Sequence, residues 1–158
     1  MKSAATDLAV MLESSGVGFI GKDIFVGGDS YDFSTNDINY TENINKIVVV
    51  LEDTSPYARN SLVGKYQYPT VQVVVKGEIG LYQASWKRAN IILDTLHGVS
   101  ERYVNNSRYL IIDGTGPMSI GVDEASRRLF ALNFNIIRAP YERGTQEMED
   151  SYGMHRTY

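Results

Sequence analysis

The chain has no cysteine, no long apolar run and no excess of positive charge, since its formal net charge is −4. Without cysteine it has neither a disulfide framework nor a zinc site built on thiolates. No run approaches the roughly 20 apolar residues that cross a bilayer, so we expect no transmembrane helix. The acidic balance argues against tight binding to nucleic acid, which requires a basic patch, but it does not prevent the passive passage of DNA.

The length of 158 residues fits one domain with a core of its own. We expect that domain to cover residues 1–141, and we expect 142–158, which have no apolar period, to form a flexible tail. The apolar stretch near the N-terminus is interrupted by Asp7 and Glu13, which is unlike a signal peptide. The expected place of synthesis is therefore the cytoplasm.

Two stretches have the apolar spacing of amphipathic helices. The shorter one runs from Ala4 to Ser14, and Gly16 is placed to end it. The longer one ends at Gly98 and carries one apolar stripe at steps of three and four residues. The stripe consists of Leu81, Ser85, Ala89, Ile92, Leu93 and Leu96.

Short runs rich in β-branched or alternating apolar residues predict strands. The predicted strands are Asp23–Val26, Ile47–Leu51, Thr70–Lys76, Tyr109–Ile112, Met118–Val122 and Phe130–Ile137. Glycine and proline at 114–117 are predicted to separate the fourth from the fifth. The last strand alternates bulky apolar residues with mixed ones. We therefore predict an α+β fold, a mostly antiparallel sheet with one long and one short helix on one face. The other face is left to water or to a partner subunit.

Two segments carry little periodicity. Residues 27–45 are turn-rich and predict a long ordered loop or arm. Residues 52–69 lie between two strands and are too long for a tight hairpin turn. Both segments contain several tyrosines, which favours packing on a surface.

Two glycine-rich motifs suggest phosphate or dinucleotide binding, but neither has the flanking strand and helix that such a site requires. Gly16–Gly21 matches G-x-G-x-x-G, but it follows a helix and leads into a loop, whereas a dinucleotide site follows a strand and opens a helix. We interpret it as a helix stop and a turn. Gly114–Pro117 lacks the Lys-Ser/Thr ending and the following helix of a phosphate loop.

The titratable residues do not form a catalytic or metal-binding pattern either. His97 and His155 are the only histidines, and neither has a second histidine four residues on to form a metal pair. Asp123 and Glu124 precede two arginines, as in a surface charge cluster. We therefore predict no catalytic residues, no cofactor, no metal and no enzyme activity.

The order of elements between Lys46 and Pro140 resembles the tail terminator proteins of long-tailed bacteriophages. Two blocks carry the resemblance: YPTVQVVVKG followed by LYQASWKRANIILDTL, and GVDEASRRLFALNFNIIRAP. In that family the first block places a strand against the long helix. The second is a turn with acidic and small residues, followed by a long last strand that ends near Arg-x-Pro.

The resemblance implies a structural virion protein at the junction of tail and neck. Such a subunit forms a homohexameric ring on the head-proximal end of the tail tube, where it ends tube polymerisation. The ring offers a docking surface to the head-completion, or stopper, proteins of the neck, and genomic DNA passes through its lumen without sequence-specific binding. The implied partners are therefore other copies of the chain, the tail tube protein and the head-completion protein, with no membrane.

A protein of this kind works through interfaces, so we looked for interface residues. Tyrosine and arginine are enriched at interface hot spots, and the 52–69 loop offers Tyr57, Arg59, Tyr66 and Tyr68. An ordinary solvated loop is the alternative interpretation. A weaker candidate is the polar face of the last strand: Asn133 and Asn135.

Two other functions remain open at this point. A head-to-tail stopper or another ring protein of the neck has a similar size and is the near alternative. The distant alternative is a small ligand-binding or hydrolytic α/β domain, which predicts a defined pocket and a monomer or dimer.

Overall fold

The computed structural model describes residues 2–27, 47–52, 66–79, 82–122 and 127–141. Within these ranges the helices are α1 (Ala4–Ser14) and α2 (Tyr82–Leu96). The strands are β1 (Ile24–Val26), β2 (Ile47–Glu52), β3 (Thr70–Ile79), β4 (Arg102–Val104), β5 (Ser107–Val122) and β6 (Arg127–Pro140). The predicted α+β class is confirmed. The predicted arm from residue 28 onward, residues 53–65 of the long loop and the 142–158 tail lie outside the described residues.

Helix α1 begins and ends where its terminal residues favour it. Ser3 is extended at the N-cap, and its hydroxyl accepts a hydrogen bond from the Thr6 N–H at 3.2 Å. At the other end Gly16 takes a positive φ of 82°, which ends the helix at little steric cost. The predicted bounds of this helix are confirmed.

One sheet joins all six described strands in the order β1-β2-β3-β6-β5-β4. β1 and β2 run parallel, and every other neighbouring pair is antiparallel. The mostly antiparallel sheet is thus confirmed, with a parallel pair at one edge. After α1 the chain enters the sheet at this edge through β1. Its last strand, β6, lies in the middle of the sheet, between β3 and β5.

The hydrophobic core fills the space between the two helices and one face of the sheet. Alternate residues of the strands point to this face, as the register pairs Val71 with Phe134 and Val73 with Leu132. The stripe of α2 is confirmed where it is described, because Ser85, Ala89, Ile92 and Leu96 are buried. Both helices contribute to one cluster, so they cover the same face as predicted.

The opposite face of the sheet is only partly open. Asn135 and Met118 are exposed there, which agrees with the prediction of a face left to water or a partner. Toward β1, however, Phe25, Val49 and Val74 are at most 4% exposed. The register places Val49 beside both Phe25 and Val74, so the three form an apolar patch on this face. The prediction is therefore wrong for this half of the face.

β5 is one continuous strand, so the predicted break at 114–117 is wrong. The strand passes through the glycines and Pro117 with shifts in its register to β6 on both sides of Met118. Gly114 is required by packing, because a Cβ there would lie 2.5 Å from Phe134 and 2.9 Å from Leu93. The glycine that suggested a break is a point where side chains of α2 and β6 lie close against β5.

Sequence analysis missed strand β4 and its hairpin with β5. The turn consists of Asn105 and Asn106, which both take positive φ, 49° and 64°. Two such residues form the type I′ turn that suits a tight hairpin, and asparagine tolerates it better than most residues. Outside the turn, Arg108 donates two hydrogen bonds to the Glu101 carboxylate at 2.8 and 2.9 Å. Each strand of this hairpin is only a few residues long where it pairs, which is why no periodicity revealed it.

The closest approach between α2 and the sheet gives a test of this packing. A Cβ at Gly77 would lie 1.5 Å from the Ser85 Oγ and 2.4 Å from its Cβ. We expect Gly77→Ala to lower the free energy of unfolding by about 1–3 kcal/mol, because helix and strand must separate. Urea unfolding monitored by circular dichroism measures the change. The double variant G77A/S85G recreates the space and should recover part of the loss; no loss in G77A would contradict this contact.

Candidate interaction surface

The predicted interface residues of the long loop fall partly within the structure. Tyr57 and Arg59 lie outside the described residues. Tyr66 is half-buried, and Tyr68 is 36% exposed. The two described tyrosines therefore differ, and Tyr68 is the more exposed of the two.

The two predicted interface asparagines of β6 also differ in exposure. Asn133 is half-buried and accepts a long hydrogen bond of 3.5 Å from the Gln72 side chain. Asn135 is exposed, and the register places it beside Thr70. Tyr68 and Asn135 line the same groove, so the structure brings together one predicted residue from each candidate segment.

That groove has a volume of about 550 Å³. Ile111 of β5 and Ile137 of β6 lie side by side in the sheet and supply apolar lining, with Tyr68 on one side. His97 and Asp113 add polar groups. Sequence analysis assigned Ile111 and Ile137 to strands but not to a site. Each of these strands contains two consecutive isoleucines in its sequence. Because neighbouring residues of a strand point to opposite faces, one isoleucine of each pair must lie on the face away from the helices, and this could have indicated the site.

Gln67 holds the wall of this groove in place. Its N–H donates to the Arg138 carbonyl at 2.7 Å, and its own carbonyl accepts from the Arg138 N–H at 3.0 Å. Its side-chain Oε1 accepts a further bond from the Arg138 Nε at 3.0 Å. Two residues on, the Pro69 carbonyl accepts from the Ile136 N–H at 3.0 Å. The segment carrying Tyr66 and Tyr68 is thereby paired with the end of β6.

Arg138 belongs to a buried polar cluster. Its Nη1 donates to the Lys2 carbonyl at 2.8 Å and to the Tyr109 hydroxyl at 3.2 Å, and lies 3.4 Å from the Asp7 carboxylate. Tyr109 in turn donates a short hydrogen bond to Asp7. The other Asp7 oxygen accepts from the Asn105 side chain at 2.8 Å. Asp7, Tyr109 and Arg138 are at most 2% exposed, so we call them the buried ionic cluster.

Burial dominates the electrostatics of this cluster. It raises the pKa of the Asp7 carboxyl above the ordinary 3.8, against the opposing effects of the Tyr109 and Asn105 hydrogen bonds and of the Arg138 charge. Burial likewise raises the pKa of the Tyr109 hydroxyl, and the hydrogen bond and charge of Asp7 add to that rise. Tyr109 is therefore a neutral donor at all ordinary pH values.

A second feature of the surface lies at the opposite edge of the sheet, in the turn between α1 and β1. Phe19 is 64% exposed and Ile20 is 41% exposed, and we call this pair the apolar tip. They lie inside the Gly16–Gly21 motif, where the predicted helix stop and turn is confirmed. The missed signal was two consecutive large apolar residues in a glycine-rich turn, where small polar residues are usual.

The turn beneath the apolar tip is held by many hydrogen bonds. The Phe19 N–H donates to the Asp23 carboxylate, and the Ile20 N–H donates to the Glu13 carboxylate at 2.8 Å. The Phe19 carbonyl accepts three backbone N–H groups, those of residues 22, 23 and 24. Arg88 of α2 donates to the Val17 carbonyl at 3.2 Å, and burial lowers the pKa of this guanidinium. The tip is thus exposed but well anchored.

Other exposed apolar side chains lie on α2 and on the far half of β5. Tyr82 and Trp86 are exposed one turn apart on the helix. Tyr82 also contacts Phe130 edge to face and lies 5.3 Å below the Arg128 guanidinium, which fixes its ring. Met118 and Ile120 are exposed on β5.

The polar residues in the groove do not form a reaction centre. The His97 Nδ1 accepts the Gly114 N–H at 2.9 Å, so that nitrogen carries no proton to share with Asp113 at 3.5 Å. The pair therefore lacks the oriented histidine and carboxylate of a hydrolase. Within the described ranges no group of three or more histidine, aspartate or glutamate side chains is placed to hold a metal ion. Neither described helix combines the length and apolar character that crossing a membrane requires.

These features define a small α+β fold whose described surface offers a groove and an apolar tip. Among solved structures, a chain from the virion of a native gene transfer agent (GTA) particle shares this fold, with a TM-score of 0.61. The identity is 12%, and the match covers 87% of this chain and 95% of that chain. No curated protein gives a significant match.

The sequence matches the bacteriophage tail terminator proteins over residues 11–140, and the chain belongs to that family. The matched range begins inside α1 and ends with β6. The family resemblance predicted from the order of strands and helices is thereby confirmed.

Removing the acceptor of the buried ionic cluster should be costly. Asp7→Ala removes the acceptor shared by the Tyr109, Asn105 and Arg138 donors and takes the Asp7 charge away from the buried guanidinium, so we expect a loss of about 3–5 kcal/mol in the free energy of unfolding. The double variant D7L/R138M removes both charges and should recover a large part of that loss. Equilibrium unfolding in urea compares them. A loss below about 1 kcal/mol in D7A would show that the cluster contributes little.

The pH dependence of stability tests the direction of the Asp7 shift. A raised pKa means that the folded chain binds this proton more tightly than the unfolded chain. The resulting stabilisation is complete below the unfolded value near 3.8 and is lost as pH rises through the folded value. The unfolding free energy of the natural protein minus that of D7N should therefore fall as pH rises from about 4. A difference that rises with pH would show that attraction to Arg138 outweighs burial.

Proposed function

We propose that the protein is a tail terminator subunit that forms a homohexameric ring on the head-proximal end of a phage tail tube. The ring ends tube polymerisation and offers its outer surface to the head-completion proteins of the neck. The family match over residues 11–140 carries this proposal, because it spans all the described strands and all of α2. The virion junction of tail and neck is accordingly the proposed location.

The character of the described surface supports a role in assembly. A subunit that joins several partners requires exposed aromatic and apolar anchors on a rigid frame. The chain supplies such anchors at separate places: the apolar tip, Tyr68 in the groove, and Tyr82 with Trp86 on α2. We propose that the protein acts through these contacts and catalyses no reaction.

The net charge supports the proposed passage of DNA. A lumen that binds phosphates tightly would hold the genome through counterion release. A formal charge of −4 on each subunit disfavours such binding. The DNA is therefore proposed to pass the ring without specific contacts to its bases.

Capping of tail tubes tests the proposed function directly. Purified tubes assembled from the tail tube protein are mixed with this protein and imaged by negative-stain microscopy. We expect a ring at one end of each tube and no further elongation when free tube subunits are added. Tubes that keep growing from both ends would contradict the proposal. A ring that binds the neck but not the tube would identify a head-to-tail stopper instead.

A second measurement separates the proposed role from a ligand-binding domain. A specific ligand stabilises the native state by mass action, by about 2.7 kcal/mol at 100 times its dissociation constant. We expect no rise in melting temperature with nucleotides or divalent metals. A large and specific rise would favour the ligand-binding alternative.

Replacement of Tyr68 tests the groove as a contact surface. Tyr68 is exposed, so Tyr68→Ser should leave the melting temperature of the isolated subunit nearly unchanged. Ring formation or tube capping should weaken, since an interface tyrosine commonly contributes 1 kcal/mol or more, roughly a fivefold change in affinity. Tyr103→Ser is the matched control, because Tyr103 is 46% exposed and lies outside the groove. If both variants assemble normally, the groove is not a contact surface.

A further inference from the structure

We propose that the apolar tip of one subunit docks into the groove of the next, so that the two surfaces form the repeating contact of the ring. This inference rests on the proposed function and names the residues that join neighbouring copies. The tip is Phe19 and Ile20, and the groove is defined by Tyr68, Ile111 and Ile137. The occupant of the groove is thus a second copy of this chain.

The chemistry of the two surfaces is complementary. Burying a Phe or Ile side chain that is otherwise exposed contributes about 1.5–3 kcal/mol. Phe19 exposes 64% of its surface and Ile111 exposes 38%, so both sides gain from leaving water. A large apolar side chain entering a pocket lined by other apolar side chains is the usual form of an interface hot spot.

The tip and the groove lie toward opposite edges of the same sheet. A bridge between Ile20 and Ile24 joins the tip to β1, the strand at one edge. The groove lies at the start of β3 and on β6 and β5, which are two, three and four strand spacings from β1, about 10 to 19 Å at the usual spacing. Two different patches on opposite sides of a subunit make a heterologous contact, which generates a ring when the rotation closes. A symmetric dimer would instead require one patch to meet itself.

One pair of exposed charges on the two surfaces is complementary. Lys22 is exposed two residues beyond Ile20, in the same turn. Asp113 is exposed at the groove, and its neighbour His97 uses its Nδ1 lone pair to accept the Gly114 N–H. When the tip enters the groove, the Lys22 ammonium pairs with the Asp113 carboxylate. This pair sets the orientation of the contact, while the apolar side chains supply most of its affinity.

The tip is preorganised for docking. Its backbone is held by the carboxylates of Asp23 and Glu13 and by the bonds to the Phe19 carbonyl. The groove wall is held by the pairing of Gln67 with Arg138. Because both partners are already ordered, little backbone entropy is lost on association. Without these hydrogen bonds, the aromatic side chain of Phe19 would gain stability by folding back onto its own subunit.

Charge reversal tests the orientation of the contact. Lys22→Glu and Asp113→Lys each place like charges together, so each should weaken self-association at least about tenfold in sedimentation velocity experiments. The double variant K22E/D113K restores opposite charges across the contact and should recover most of the affinity. Unchanged melting temperatures of the three variants show that the subunit is intact. The proposal would be overturned if the single variants self-associate as tightly as the natural protein. It would also be overturned if the affinity of the double variant falls by the two single losses combined.

Disulfide trapping tests the same contact without relying on charge. The chain has no cysteine of its own, so a disulfide can form only between the two cysteines that are introduced. Under mild oxidation the double variant I20C/I111C should form a ladder of covalent oligomers up to the size of the ring. The single variants I20C and I111C, when mixed, should yield covalent dimers and nothing larger. The matched control W86C/I111C places its first cysteine at an exposed position of α2 outside the tip, and should give no ladder.

The outcomes distinguish this contact from the proposed function. Disulfide dimers from I20C alone would indicate a symmetric contact and overturn the inference. If the protein caps tubes but shows neither a disulfide ladder nor an effect of charge reversal, the proposed function stands and the inference is refuted. The groove would then be free to contact the tube protein. A ladder from a protein that does not cap tubes would support the contact and refute the function.

Discussion

The buried guanidinium of Arg138 is the constraint on which the rest of the structure depends. A charge this deeply buried is tolerated only where acceptors surround it, and here they come from different parts of the chain. Asp7 comes from α1, Tyr109 from β5, and the Gln67 side chain from the segment before β3. Helix, hairpin and strand must all be in place before all of these groups are satisfied. The cluster therefore makes the positions of distant elements interdependent, in a way that apolar packing alone does not require.

The same residue links the interior to the candidate interaction surface. Arg138 pairs with Gln67 through both backbones and both side chains, and this pairing sets the position of Tyr68 beside the groove. The groove wall on one side of the sheet is thus tied to α1 on the other side. The tip is likewise bonded to α1, through Glu13, and the turn below it to α2, through Arg88. Both proposed contact surfaces are extensions of the core rather than independent loops.

Periodicity predicted the elements that have a long one-sided burial pattern. Helices α1 and α2 and strand β6 were found because their apolar residues repeat over several turns or several pairs. Periodicity failed where the reason for a residue lies in a distant neighbour. Gly114 was read as a strand break because its close contact with Phe134 cannot be seen from the local sequence. The site was predictable in part for a similar reason: Tyr68 and Asn135 stood out by type, whereas Phe19 and Ile111 acquire meaning only from their exposure in the folded chain.

The irregular course of β5 has a consequence for how the protein behaves at high concentration. Among the described strands, β4 covers only residues 107–109 of β5, so no described strand pairs with the outer margin of its remaining length. A straight margin of that length would be a template onto which other chains could zip into fibrils. Pro117 has no amide hydrogen to donate, and the two register shifts near Met118 make this part of the strand irregular. Irregularities of this kind disfavour the open-ended pairing of separate chains along the edge of a sheet.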